Sequence, residues 1–240
     1  MGHYTNMSSY YDVIMTSGYY DYPKIVDGLI NGHAVQTVLE LGCGTGLIIE
    51  ELAKRKPDMP ITGIDLTPEM LAIAEERLGA YRNVQLSQQN VCHLQLPQKH
   101  DLVFSYGGVW YFVVEQGKEP FMVSHIPSHE DNVAGIQKMA SCISSGGRLK
   151  LGTQGPHHNY EKTISNGMVY SQEILPLDDG FIKHYYLDDG DERVMEQTIH
   201  YRTYSYDEAC RMMAAVGLHP EEEVSHHITS PRMFIGFAKS

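Results

Sequence analysis

The run Glu40-Leu41-Gly42-Cys43-Gly44-Thr45-Gly46 constrains the fold of this chain more than any other stretch. It follows a short apolar segment, Thr37-Val38-Leu39, and leads into Leu47-Ile48-Ile49-Glu50-Glu51-Leu52, so it reads as a strand, a glycine turn and a helix. Glycines at alternate positions let the main chain turn tightly and approach a ligand. The helix that follows presents unpaired N–H groups at its N-terminus. A strand, turn and helix in this order predict a parallel βαβ unit.

The next segments keep that alternation. Ile61-Thr62-Gly63-Ile64 predicts a second strand ending at Asp65, and Thr67 caps a helix with Pro68 at its first position and Glu69 in its first turn. A helix ahead of the first strand runs from Tyr22 to Leu29 and is closed by Asn31-Gly32. Val84–Ser87 and Asp101–Ser105 predict strands three and four. The aromatic stretch Tyr106–Ser124, interrupted by Gly107-Gly108 and Gly117, has no assignable pattern. A helix starts at Ser128-His129-Glu130-Asp131 and ends at Gly146-Gly147, before a fifth strand over Arg148–Thr153.

From about residue 157 to 204 the character changes. Met168–Leu175, Gly180–Leu187 and Arg193–Tyr204 are strand-like and are separated by Asp-Gly turns at 179–180 and 189–190, a strong hairpin signal. A helix over Tyr206–Val216, stopped at Gly217, and strands near Glu221–His227 and Arg232–Lys239 complete the pattern. The predicted fold is α/β: a Rossmann-like, seven-stranded, mostly parallel sheet with helices on both faces and an antiparallel insertion after the fifth strand. Three regions are expected: an N-terminal lid with the core (1–156), the insertion (157–204) and a C-terminal segment completing the core (205–240).

The acidic residue ending the first strand selects the ligand. A carboxylate at Glu40 repels the pyrophosphate of a dinucleotide but welcomes an ammonium group, which favours S-adenosylmethionine over NAD. Glu40, Gly42, Gly44 and Gly46 are the first cofactor candidates. Asp65, about 20 residues past the turn, can accept both ribose hydroxyls, as in Rossmann-like nucleotide sites. Its alternative role is a cap preceding the helix, for which Thr67 is better placed. Leu66 and Met70 flank the adenine, with plain helix core as the other reading of Met70.

Composition narrows the partner. With 30 acidic against 18 basic residues, a net charge of -12, the surface repels phosphate backbones and disfavours nucleic acid. No apolar run reaches the length of a membrane span and the N-terminus has no signal-peptide pattern. The four scattered cysteines read as reduced thiols of a cytoplasmic protein.

The segments E-L-G-C-G-T-G, G-I-D-L-T-P-E-M-L-A-I-A, Q-N-V-C-H-L-Q-L-P and D-L-V-F-S together resemble the class I S-adenosylmethionine-dependent methyltransferases, over about residues 35–153. The resemblance implies that Asn90 and Val91 contact the adenine rim. The family more often has Asp at this position, but Asn keeps a side-chain oxygen for the adenine amine. Tyr106 is a further cofactor-side candidate. With Gly107-Gly108 it stands where enzymes that methylate DNA bases or protein glutamine carry an Asn-Pro-Pro-Tyr type signature, so a small metabolite is the expected substrate. Trp110, Tyr111 and Phe112 line its pocket or are plain core.

The tyrosines at the N-terminus and the insertion are similar to those of bacterial small-molecule N-methyltransferases. Those enzymes include the amino-sugar dimethyltransferases and the glycine and sarcosine enzymes. By that likeness Tyr11 and Tyr22 belong to a lid over the sulfonium, where phenol faces suit a cation; the alternative is simple packing of a mobile helix. The insertion becomes a substrate wall or a homodimer contact. Thirteen histidines offer several general bases. His125 and His129 follow the fourth strand and His157 and His158 the fifth, on the ligand-binding edge; His125 and His157 are the catalytic candidates. No metal is expected, because Pro127 breaks the helix that would align His125 with His129, and His226 and His227 alternate in a strand. The implied activity is methyl transfer to the nitrogen or oxygen of a small molecule, by analogy in secondary metabolism. The alternatives are a S-adenosylmethionine-dependent rearrangement, a non-catalytic partner and an NAD-dependent oxidoreductase.

Overall fold

A computed structural model describes residues 4–31, 34–222 and 232–240. Its parallel sheet is built from β1 (Val38–Leu41), β2 (Ile61–Asp65), β3 (Val84–Gln88), β4 (His100–Ser105) and β7 (Ile143–Gln154), ordered β3-β2-β1-β4-β7. Two more strands close this half: β13 (Phe234–Lys239) runs antiparallel to β7, and β12 (Leu218–Pro220) pairs with β13. Those seven strands are the predicted Rossmann-like core.

The sheet does not stop there. β5 (Trp110–Val113) and β6 (Phe121–Ser124) form a hairpin in the stretch without an assignable pattern. The sheet then continues through β11 (Glu192–Ser205), β10 (Gly180–Asp189), β9 (Val169–Leu177) and the unanticipated β8 (Tyr160–Thr163), giving 13 strands among the described residues against the seven core and three insertion strands predicted. β7 joins the halves, because its last residues Thr153 and Gln154 pair with Phe112 and Val113 of β5.

Alternate side chains of the buried parallel strands feed opposite faces, as the two-residue period requires. Leu102 and Phe104 pack against α2 (Tyr22–Ile30), α3 (Leu47–Arg55) and α4 (Pro68–Leu78), through Ile25, Ile49 and Leu71. Val103 packs on the other side against α5 (His129–Ser141) and α6 (Tyr206–Ala214), through Ile136 and Met213. The first helix, α1 (Ser8–Thr16), lies instead on the insertion strands, where Ile14 and Met15 join Tyr185, Met195 and Ile199 in a third cluster.

Several boundaries moved for physical reasons. α5 ends at Ser141, and Ile143 already starts β7, well before the expected stop at Gly146-Gly147. A short strand lies at Leu218–Pro220; of the strand expected near Glu221–His227, residues 223–227, with His226 and His227, are outside the described residues, as is Gly32. Thr67 occupies the N-cap of α4 but its hydroxyl makes no cap bond. Asp65 takes over, with Oδ1 accepting from the Thr67 N–H at 2.8 Å. No helix among the described residues is long and apolar enough to cross a membrane.

Candidate functional site

The glycine turn forms one wall of a cleft of about 620 Å³ at the carboxyl ends of β1 and β2. Gly42, Gly44 and Gly46 all have positive φ (72°, 54° and 81°), the region where a side chain is strained. Gly46 is also fixed by packing: a Cβ there would lie 2.7 Å from Leu78 Cδ1 on α4. Gly44 faces the other way, since its Cβ position is 3.8 Å from the Tyr11 ring. Tyr11 therefore roofs the turn.

Asp65 holds the turn shut from below. Its Oδ2 accepts the Gly44 N–H at 2.8 Å while Oδ1 caps α4. Burial, against those backbone hydrogen bonds, raises the Asp65 carboxyl above its ordinary value. Glu40 is 3% exposed, and its Oε2 has no hydrogen-bond partner. Burial first, then the charge of Asp65, pushes its carboxyl well above the usual range. An unpartnered buried carboxylate beside a second one calls for a cation, and an ammonium such as that of S-adenosylmethionine would supply it. The residues present thus fit this cofactor.

The predicted cofactor residues divide into two groups. Gly42, Gly44, Asp65, Leu66, Met70 and Val91 line the cleft. Glu40 and Gly46 lie behind that wall. Asn90 stands next to it with Oδ1 accepting from the Cys92 N–H at 2.9 Å, so it shapes the turn after β3. Tyr106 is elsewhere: its ring packs edge-on against Tyr20 at 5.1 Å and Phe234 at 5.4 Å, and its hydroxyl points to Met233 Sδ. Tyr22 packs near Tyr20, 6.1 Å between ring centroids, and lines neither the cleft nor the cavity behind it. Gln89 and Thr67 line the cleft without having been singled out; their places directly after β3 and β2 were the available signal.

Behind the cleft lies a narrow inner cavity walled mostly by tyrosines, from α1 and the residues flanking it, from β5 and from the insertion strands. Tyr4, Tyr11, Gly107 and His125 line both spaces and form the partition between them. A chain of hydroxyls crosses the partition: His125 Nε2 lies 2.9 Å from the Tyr4 hydroxyl, which is 3.0 Å from that of Tyr201, itself 2.6 Å from that of Tyr185. Burial drives the His125 imidazole down to about 3, so it is neutral at pH 7. Burial likewise raises the Tyr4 phenol to about 12 and keeps it protonated. The partition offers neutral donors and acceptors and no charge.

His157 is close to the inner cavity, with its ring 5.7 Å from Tyr111 and 5.5 Å from Phe181, but it lines a separate groove with His158 and Tyr160. Burial, followed by the Lys183 charge, lowers it to about 3. Of the three aromatics after β4, only Tyr111 lines the inner cavity. Trp110 and Phe112 point to the opposite face of β5 and are core, the Trp110 indole donating to Asn132 Oδ1 at 2.8 Å. Among the described residues no cluster of histidine, cysteine or carboxylate side chains is placed to hold a metal ion.

A parallel sheet with a reversed last strand, a glycine turn, and acidic residues ending its first two strands define the class I S-adenosylmethionine-dependent methyltransferase fold. The sequence agrees: residues 38–124 match the family described as "Methyltransferase domain". Two malonyl-[acyl-carrier protein] O-methyltransferases are similar to it. That of Acetivibrio thermocellus is 37% identical over 145 residues, 58% of this chain and 44% of its own. Enzyme 1 of Ilyobacter polytropus is 26% identical over 147 residues, 59% and 48% respectively. The chain thus spans about half the length of these curated relatives. Among solved structures, an amino pentose methyltransferase from Micromonospora echinaspora superposes with a TM-score of 0.69 at 15% identity, covering 96% of this chain and 97% of that one. At that identity the likeness is one of fold.

Proposed function

We propose that this chain transfers a methyl group from S-adenosylmethionine to a nitrogen or oxygen of a small biosynthetic molecule. The observation that carries the reading is the shared wall. A cofactor cleft lined by Asp65, with the buried Glu40 behind its wall, is separated by Tyr4, Tyr11, Gly107 and His125 from a second, tyrosine-walled cavity. Similarity to malonyl-[acyl-carrier protein] O-methyltransferases, and a fold shared with an amino pentose methyltransferase, are in keeping with either oxygen or nitrogen as the acceptor atom.

In this reading Glu40 receives the ammonium group, Asp65 the ribose hydroxyls, and Met70, Leu66 and Val91 the adenine. The cofactor supplies an electrophilic methyl group. The chain contributes alignment, which accounts for much of catalysis in such a displacement. Tyr11 covers the glycine turn and excludes water there. Tyr4 and His125 hold the acceptor: a phenol kept protonated and an imidazole kept neutral fix a lone pair by hydrogen bonds without placing a repelling charge at the partition.

Titration calorimetry tests the cofactor half: S-adenosylmethionine binding falls sharply in Glu40→Ala and Asp65→Ala, and unchanged binding in both sinks the proposal. Mass spectrometry tests the reaction. Methyl transfer yields S-adenosylhomocysteine and an acceptor heavier by one methyl group, whereas a rearrangement yields neither.

A further inference from the structure

Lys183 occupies a position where the strand pattern calls for an apolar side chain. Phe181, Lys183, Tyr185 and Leu187 share the inward face of β10, and Lys183 is 3% exposed. Its ammonium lies 5.5 Å from the centroid of the Tyr185 ring and 5.9 Å from that of Tyr201, and no carboxylate or hydrogen-bond acceptor reaches it among the described residues. Lys150 shows the contrast. It is buried as well, but it donates to the Gly28 carbonyl at 2.8 Å and the Leu29 carbonyl at 3.3 Å, near the end of α2.

Lys183 lines the inner cavity and is the one charged side chain that does so among the described residues. Phenol faces offset part of the lost hydration of an ammonium, but a buried cation needs an anion or strong acceptors for the rest. Burial lowers its pKa only to about 8, which leaves it protonated at pH 7. The charge distribution across the partition is therefore asymmetric: Glu40 and Asp65 lie on the cofactor side and Lys183 on the other.

We propose that the inner cavity is an oxyanion subsite, in which a carboxylate or phosphate group of the acceptor molecule pairs with Lys183. Lys183 does not line the cofactor cleft, so the oxyanion anchors the acceptor from the far side while a different atom lies at the Tyr4–His125 partition. The Tyr185 and Tyr201 hydroxyls, 2.6 Å apart, add a neutral hydrogen-bonding pair beside the charge. The subsite selects acidic acceptors and rejects permanently cationic ones. That the anion belongs to a methyl acceptor rests on the methyltransferase reading; the anion subsite itself does not.

The test uses the full chain saturated with S-adenosylhomocysteine, titrated with benzoate, phenyl phosphate and neutral benzamide. At least one anion binds tenfold or more tightly than benzamide in the wild type, and the tighter of the two identifies the group. Lys183→Met removes the preference, and Lys183→Arg keeps most of it. Equal affinities in the wild type, or a preference that survives in Lys183→Met, overturns the proposal. S-adenosylhomocysteine binding is read separately in every variant. Its retention in Lys183→Met shows that the variant is folded, and Lys183→Gln replaces a variant that is not. Lysine-dependent anion binding without S-adenosylhomocysteine binding supports the subsite and sinks the methyltransferase reading instead.

Discussion

Asp12 of α1 and Arg77 of α4 form an ion pair across the glycine turn, and Asp12 Oδ1 also accepts the Thr45 hydroxyl at 2.6 Å. Arg77 in turn donates from Nε to the Thr45 carbonyl at 2.9 Å and from Nη1 to Glu50 at 3.2 Å. The pair therefore ties α1 to the glycine turn one residue from Tyr11.

Removing that tie loosens the roof without touching the cleft. A hydrogen bond to a charged group contributes about 1.5–3 kcal/mol, reduced here because both side chains are partly solvated. Asp12→Ala is expected to weaken S-adenosylhomocysteine binding roughly five- to twentyfold. Calorimetry measures it, and faster amide exchange confined to α1 identifies the lid as the cause.

Glu40 sets function against stability. Its folded-state pKa lies above the unfolded value, so the folded state binds the extra proton. That contribution is fully present below the ordinary carboxylate range and is lost as pH rises through the raised value. Glu40→Gln does not titrate. The ligand-free variant is expected to melt a few degrees above the wild type at neutral pH, about the effect of 1 kcal/mol, with the gap closing toward pH 4. Its affinity for S-adenosylmethionine falls at least about tenfold, a change of about 1.4 kcal/mol. Calorimetry and thermal melts at several pH values check both.

His125 produces the opposite pH dependence. Burial, followed by Lys183, holds it at about 3 in the folded state, against about 6.5 when unfolded. The folded state therefore keeps its advantage above pH 6.5 and loses it progressively as pH falls toward 3. His125→Gln flattens this slope: denaturant midpoints between pH 6.5 and 4 should fall less steeply than in the wild type.

Two glycines give a paired test of the turn. Gly46→Ala forces a Cβ at φ 81° to within 2.7 Å of Leu78 and is expected to cost about 2–4 kcal/mol. Gly155→Ala meets nothing within 4 Å and should stay within about 0.5 kcal/mol. Chemical denaturation resolves the two.

The cofactor half was legible because its signals are local. Glycine positions, strand-end carboxylates and a proline at the first helical position each fix the main chain within a few residues. The acceptor half depends on pairings far apart in sequence. Lys183 in a strand reads as a solvent-facing residue, and only the period that places Phe181 and Tyr185 inward reveals that it is buried. Trp110, Tyr111 and Phe112 looked equivalent until β5 sent alternate side chains to opposite faces. Asp65 displaced Thr67 as the cap because its longer carboxylate reaches the Thr67 N–H and the Gly44 N–H together.

β7 bonds to β4 and β13 along most of its length and gives its final two residues to β5. Through that strand, main-chain hydrogen bonding runs unbroken from the cofactor turn to the tyrosine wall. The two halves are therefore held in fixed register by backbone alone, whatever side chains the wall carries. Inward positions of β9, β10 and β11 can be rewritten for acceptors of other shape or charge while the methyl donor stays aimed at the same point in space. The scaffold works as a socket with an exchangeable faceplate, and Lys183 is the part of that faceplate which sets the polarity.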